Sequence, residues 1–313
     1  MKVETNPYTE TSEALRKFFG HFPQVERFTH YLLTIKDYRC DSEEPDCLAI
    51  IGDTGTGKST LLTTFARRFP RIEHPDHTEV PILYLEVPAK CTIKRLSGFM
   101  LQTLGSTLWN RGDEEDRTHQ LVTLLKGCAV RMIILDEVNH LADVGAAKTH
   151  YQVGDWIKQL SRKAAIPVVL AGTPSAAILW NTNEQLADRY EVATLSPLSM
   201  EPDRVNEFRR VMKVFQGLMG RLKVVDLTEE KMLSCIAFAT AGRLRDIRKL
   251  LVRAVKIAQA HDSLTITRQT LADAFAQVIF SGAPPKRNPF DPRFDGLPLT
   301  KPGEPFFTRG YRK

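Results

Sequence analysis

"IIGDTGTGKST", residues 50–60, decides how the rest of the chain is read. Gly52, Gly57, Lys58 and Ser59 satisfy the pattern G-x-x-x-x-G-K-[ST]. The pattern stands between an apolar run at 47–51, "CLAII", and the segment 58–69, "KSTLLTTFARRF", whose apolar residues fall at helical spacing. A strand, a glycine-rich turn and a helix in that order build a phosphate-binding loop. Glycine lets the turn curl so that backbone N–H groups and the positive end of the helix face an anion. Lys58 then neutralises the outer phosphates of a nucleotide, and Ser59 offers its hydroxyl to Mg²⁺. The residues expected to hold the nucleotide are Gly52, Asp53, Thr54, Gly55, Thr56, Gly57, Lys58, Ser59 and Thr60.

Four further apolar runs have the length of strands: 81–88 "PILYLEVP", 131–138 "RMIILDEV", 166–174 "IPVVLAGTP" and 190–198 "YEVATLSPL". Helical stretches separate them, so the expected architecture is an α/β domain with five parallel strands covered on both faces. Asp136 ends the third strand, where it can hold Mg²⁺ through water, and Glu137 beside it is placed to polarise an attacking water. The pair favours hydrolysis of the nucleotide. A guanine-reading N-K-x-D is absent, which points to ATP. Thr173, ending the fourth strand, is expected to position the water. Arg189, just before the fifth, is expected to reach the γ-phosphate of a neighbouring subunit.

Composition excludes several classes. No apolar run approaches the roughly 18 residues of a membrane span, and the first residues lack the apolar core of a secretory signal, so a cytoplasmic protein is expected. Five cysteines lack zinc spacing and suggest reduced thiols. The net charge is +6, and residues 281–313 carry seven basic against three acidic side chains, so nucleic-acid binding cannot be argued from net charge and needs a local patch.

The expected organisation is an N-terminal helical arm at 1–44, a nucleotide-binding core at 45–200, a helical lid at 201–280 and a tail at 281–313. The tail holds seven of the eighteen prolines and is expected not to fold alone, with Phe290, Phe294, Phe306, Phe307 and Tyr311 serving to dock a partner or, alternatively, packing back on the lid. Arg245, in "GRLRDIRKLL", occupies the lid position from which an arginine reaches over the phosphates. Together these features resemble an AAA+ ATPase.

The order of "GDTGTGKST", "LDEVNHLA", "VVLAGTPSA" and "QLADRYEVATLSPLS" is similar to that in the TniB and TnsC family of transposition regulators, most tellingly in "GTPSA" followed by an arginine before the fifth strand. The resemblance implies an ATPase with Mg²⁺ that assembles into rings or helical filaments on double-stranded DNA. It also implies a link between a target-selecting partner of TniQ type and the transposase, with hydrolysis as the release switch. On that reading DNA meets the segments facing the centre of a ring, namely Lys90, Thr92, Lys94, Arg95 and Lys148. Where many members of the family carry a histidine this chain has Asn139, with His140 following; neither is given a catalytic role. A replication initiator of the Orc and Cdc6 type shares the core but appends a winged-helix domain, and a secretion or signalling ATPase acting as a protein-binding switch is the other alternative.

Overall fold

The computed structural model describes residues 6–18, 20, 22–37, 45–142, 147–181 and 189–307, apart from the side chains of Ala147, Lys148 and Trp180. The chain divides into two units. One comprises Gln24–Thr54 and Lys58–Ser196; the other comprises Met1–Pro23, Gly55–Gly57 and Pro197–Lys313. Of the expected N-terminal arm, α1 (Pro7–Lys17) falls to the second of these units and α2 (Pro23–Asp37), from Gln24 on, to the first.

The first unit is built on β1 (Cys47–Ile51), β2 (Ile82–Glu86), β3 (Met132–Asp136), β4 (Val168–Gly172) and β5 (Tyr190–Thr194). All neighbouring pairs are parallel, in the order β2-β3-β4-β1-β5. Strands buried on both faces need continuous apolar runs, and Leu48, Ala49, Ile50, Ile133, Ile134 and Val169 are fully buried. The flanking helices are α3 (Lys58–Ala66), α4 (Ile93–Thr103), α5 (Glu114–Gly127) and α6 (Ala147–Ala164). Asp113 and Asp116 close a capping box at the start of α5, which fixes where that helix begins. Leu96, Met100, Leu121, Leu125, Trp156 and Leu160 join the strands in one continuous core.

The second unit is helical: α7 (Val205–Gly217), α8 (Glu230–Thr240), α9 (Leu244–Ala260) and α10 (Arg268–Val278). Phe208, Phe215, Leu233, Ile236, Leu250 and Phe275 form its centre. The α1 helix belongs here. Thr11 Oγ1 donates to the Met219 carbonyl at 3.1 Å, Arg248 Nη2 donates to the Phe18 carbonyl at 2.9 Å, and the Phe18 ring meets Phe215 edge-on at 5.3 Å. The turn from α8 to α9 depends on Gly242. Its φ is 66°, and an added Cβ would stand 1.8 Å from the Leu198 carbonyl oxygen, so only glycine fits.

The tail follows the second of the two expected courses, packing on the lid. Residues 283–307 form an irregular strap on the helical unit, organised by Arg287. That guanidinium donates to Glu304 Oε1 at 2.6 Å and Oε2 at 2.8 Å, to Asp295 Oδ1 at 2.8 Å, and to the Pro298 carbonyl at 2.7 Å. Phe290 is 2% exposed beside Phe275, Phe294 meets Phe238 at 5.2 Å, and the Phe306 ring lies 5.2 Å from the Arg243 guanidinium. Phe307 stays exposed, and Tyr311 lies outside the described residues. Proline prevents a helix or a central strand but does not prevent side-chain packing, and the apolar rings supply the burial.

Candidate functional site

The phosphate loop leaves the sheet at the carboxyl end of β1, the end from which nucleotide loops in parallel sheets spring. Gly52 donates its N–H to the Gly172 carbonyl at 3.1 Å, which ties the loop to the end of β4. Lys58, the first residue of α3, is 4% exposed, and its ammonium donates to the carbonyls of Gly52 at 2.6 Å and Asp53 at 3.1 Å. A buried ammonium held on backbone carbonyls at the start of a helix suits an anionic guest. Ser59 and Thr60 follow it on the first turn of α3.

The next strands bring the carboxylates. Asp136 ends β3 fully buried and accepts from the Tyr84 hydroxyl at 3.0 Å and from the Glu137 N–H at 2.9 Å. Burial, and then the nearby Asp136 charge, hold the Tyr84 phenol well above its usual pKa, so it remains a donor. Glu137 is half-buried and has φ 55°, a conformation a non-glycine residue adopts only when its surroundings impose it.

Asn139 and Thr173 meet across the strand ends. Asn139 Oδ1 accepts from the Thr173 N–H at 3.4 Å, and the Thr173 hydroxyl pairs with Ser175 at 2.8 Å. Asn139 thus tethers the end of β4 to the end of β3, a contact that spacing alone did not reveal. The signal was a polar residue three places after a strand-ending aspartate in an otherwise apolar stretch. His140 is turned away to the Val87 carbonyl at 2.7 Å.

Arg189 lies apart from these groups. The register pairs Cys47 with Tyr190 and Ile51 with Thr194, so Arg189 sits at the start of β1 while the phosphate loop leaves its end. Five strand steps separate Arg189 from the level of Ile51, roughly 16 Å.

In the helical unit, which includes Gly55–Gly57, the Arg245 N–H donates to the Gly55 carbonyl at 3.1 Å, and the Arg245 Cβ would stand 3.2 Å from a side chain at position 55. Gly55 and Gly57 have φ of 89° and 105°. Glycine is thus required there by backbone conformation and by the close approach of α9.

The residues expected to meet DNA gather at one place. Lys90, Thr92, Lys94 and Arg95 are all exposed on the loop after β2 and the first turn of α4. Thr92 caps α4 by accepting from the Arg95 N–H at 3.4 Å. The Lys148 side chain lies outside the described residues. No helix among the described residues is long and apolar enough to cross a membrane.

The donor set fits a nucleotide with a divalent cation: a buried ammonium and small-residue loop for phosphates, with the Ser59 hydroxyl and the buried Asp136 carboxylate for the metal. Among solved structures the chain is similar to the Aeropyrum pernix ORC1 protein in complex with DNA, at 17% identity with a TM-score of 0.59, covering 86% of this chain and 69% of that one. It is similar to Cdc6p from Pyrobaculum aerophilum at 15% identity and TM-score 0.62, covering 88% and 73%. The Aeropyrum pernix ORC2 protein, in ADPNP–ADP complexes, matches at 14% identity and TM-score 0.59, covering 87% and 72%. These likenesses identify the fold as that of AAA+ ATPases. No curated protein matches the sequence. The family model described as bacterial TniB protein matches residues 13–200, more than half of the chain, and with the phosphate loop, Asp136-Glu137, Thr173 and Arg189 in or beside that span the chain belongs to the TniB family.

Proposed function

We propose that this protein is an ATP-hydrolysing, DNA-binding transposition regulator that assembles on double-stranded DNA and links target selection to the transposase. The observation that carries the reading is the position of Arg189. It stands at the opposite end of β1 from the phosphate loop, remote from the loop of its own subunit, as a residue that serves a neighbour's site must be. A site completed by the next copy makes hydrolysis depend on assembly.

In the reaction, Lys58 and the loop N–H groups bind and orient the triphosphate, Thr173 holds a water, and Glu137 removes its proton as the water attacks the γ-phosphorus; the bond to the β–γ bridging oxygen breaks, and ADP and phosphate leave. Mg²⁺, held through Ser59 and Asp136, would neutralise charge on the phosphate oxygens. Arg245 senses which nucleotide occupies the loop, and Arg189 of the adjoining subunit stabilises the charge of the transition state. Lys90, Thr92, Lys94 and Arg95 grip phosphates of the duplex without reading sequence. The relatives of the same fold, one in complex with DNA and one with ADPNP and ADP, are compatible with both parts of this reading. The family supports a TniQ-type partner and the transposase as the proteins that it connects.

Electron microscopy of the protein with duplex and a non-hydrolysable ATP analogue tests the proposal. Rings or filaments enclosing DNA are expected with the analogue and not with ADP. A monomer whose turnover ignores DNA would refute it and favour a protein-binding switch.

A further inference from the structure

The helical unit carries a groove of about 370 Å³ on α9, walled by α1 and α10. Six of its lining residues are cations: Arg16, Arg245, Arg248, Lys249, Arg253 and Lys256. The remaining two are Val252 and Val278, so neither a carboxylate nor an aromatic ring is among the described lining residues. The α9 members recur at one-turn spacing and form a single ridge. From Arg245 to Lys256 this ridge spans eleven steps, roughly 16 Å.

Such a concentration of charge is costly without a counter-charge. Asp246 is the only acidic residue of α9, and burial raises its pKa, which weakens it as a compensating charge. Arg248 Nε is buried with no hydrogen-bond partner among the described residues, and burial lowers the pKa of that guanidinium. Arg16, Lys249 and Lys256 stay exposed along the lip.

We propose that this groove is a second DNA-binding surface that follows the phosphate backbone of a duplex. A triphosphate is too short an occupant, because only Arg245 adjoins the phosphate loop and the ridge continues for three turns beyond it. A single strand is disfavoured, because the described lining residues include no ring on which a base could stack. An acidic peptide would want apolar pockets for its anchoring side chains, and two valines provide little of that. A duplex presents a charge about every 1.7 Å of its axis, so a 16 Å ridge meets several phosphates at once. Arginine forks and lysine points suit phosphate oxygens without any reading of bases.

The inference rests on the duplex binding proposed above, and the two can fail separately. The experiment measures binding of the full chain to fluorescent duplexes of two unrelated sequences, with a non-hydrolysable ATP analogue, over a range of salt. Lys249→Ala/Arg253→Ala/Lys256→Ala should lower the slope of log affinity against log salt by roughly 2.7, about 0.9 per phosphate contact, equally for both sequences. If the triple variant fails to fold, Lys256→Ala alone, at an exposed position, should lower the slope by about 0.9. An unchanged slope, alongside a reduced one for Lys94→Ala/Arg95→Ala, overturns the groove and leaves the proposed function standing. Absence of duplex binding by the wild-type protein overturns both. Capture of a poly-glutamate peptide that the triple variant loses, with duplex binding intact, assigns the groove to an acidic protein and overturns the inference.

Discussion

Glu137 holds its carboxylate on a left-handed backbone that glutamate does not favour, with its own N–H donating to Asp136 Oδ1 at 2.9 Å. A left-handed glutamate beside a buried metal-type carboxylate fits a catalytic base better than a structural one. Glu137→Gln should therefore leave ATP binding intact and reduce turnover by about 10²- to 10⁴-fold, as loss of general-base catalysis does. Lys58→Ala should abolish binding itself, and equilibrium binding of a fluorescent ATP analogue separates the two variants. Asn139 acts through Thr173. Asn139→Ala should lower turnover by about tenfold with unaltered nucleotide affinity, since one positioning hydrogen bond is worth about 1–1.5 kcal/mol. A changed dissociation constant with normal turnover would contradict that role.

The strands and main helices were legible in the sequence, because a parallel sheet writes itself as uninterrupted apolar runs and the helices carry their own start signals, such as Asp113 before α5. The phosphate loop and the Asp136-Glu137 pair were legible for the same reason: their chemistry depends on local order. Asn139 was not, since its partner is 34 residues away across the sheet. The packing of the tail was legible only as an alternative, because proline says what the backbone is denied, while the buried rings and the Arg287 cluster depend on long-range contacts. Phe290→Ala should cost the helical unit about 3 kcal/mol and lower its melting temperature by several degrees. Asp295 and Glu304 have lowered pKa values in the fold, Asp295 chiefly through the Leu297 N–H and Glu304 chiefly through Arg287. The unfolded chain therefore takes up their protons first. Their stabilisation is full above the ordinary carboxylate range of about pH 4 and is lost as pH falls through it. Calorimetry should show the melting difference between wild type and Arg287→Met narrowing between neutral pH and pH 3.

At the scale of the whole molecule, the proposed sharing of a nucleotide site between copies predicts complementation. A Lys58→Ala subunit still offers Arg189, and an Arg189→Ala subunit still offers its phosphate loop, so mixing the two inactive proteins should restore part of the ATPase rate. Silence on mixing, with both variants folded and co-assembling, would count against shared sites. The Arg287 clasp has a consequence of another kind. It joins residues 287 and 304, seventeen positions apart, without a covalent bond. A disulfide restrains the unfolded chain, whereas this clasp dissolves with unfolding and so works against the full entropy of closing its loop, about 2.5 kcal/mol plus a constant. Cutting that loop would relieve the opposition rather than release the strap. Trypsin acting at Arg293, whose side chain is 68% exposed, should give two fragments on a denaturing gel that still travel as one particle under native conditions.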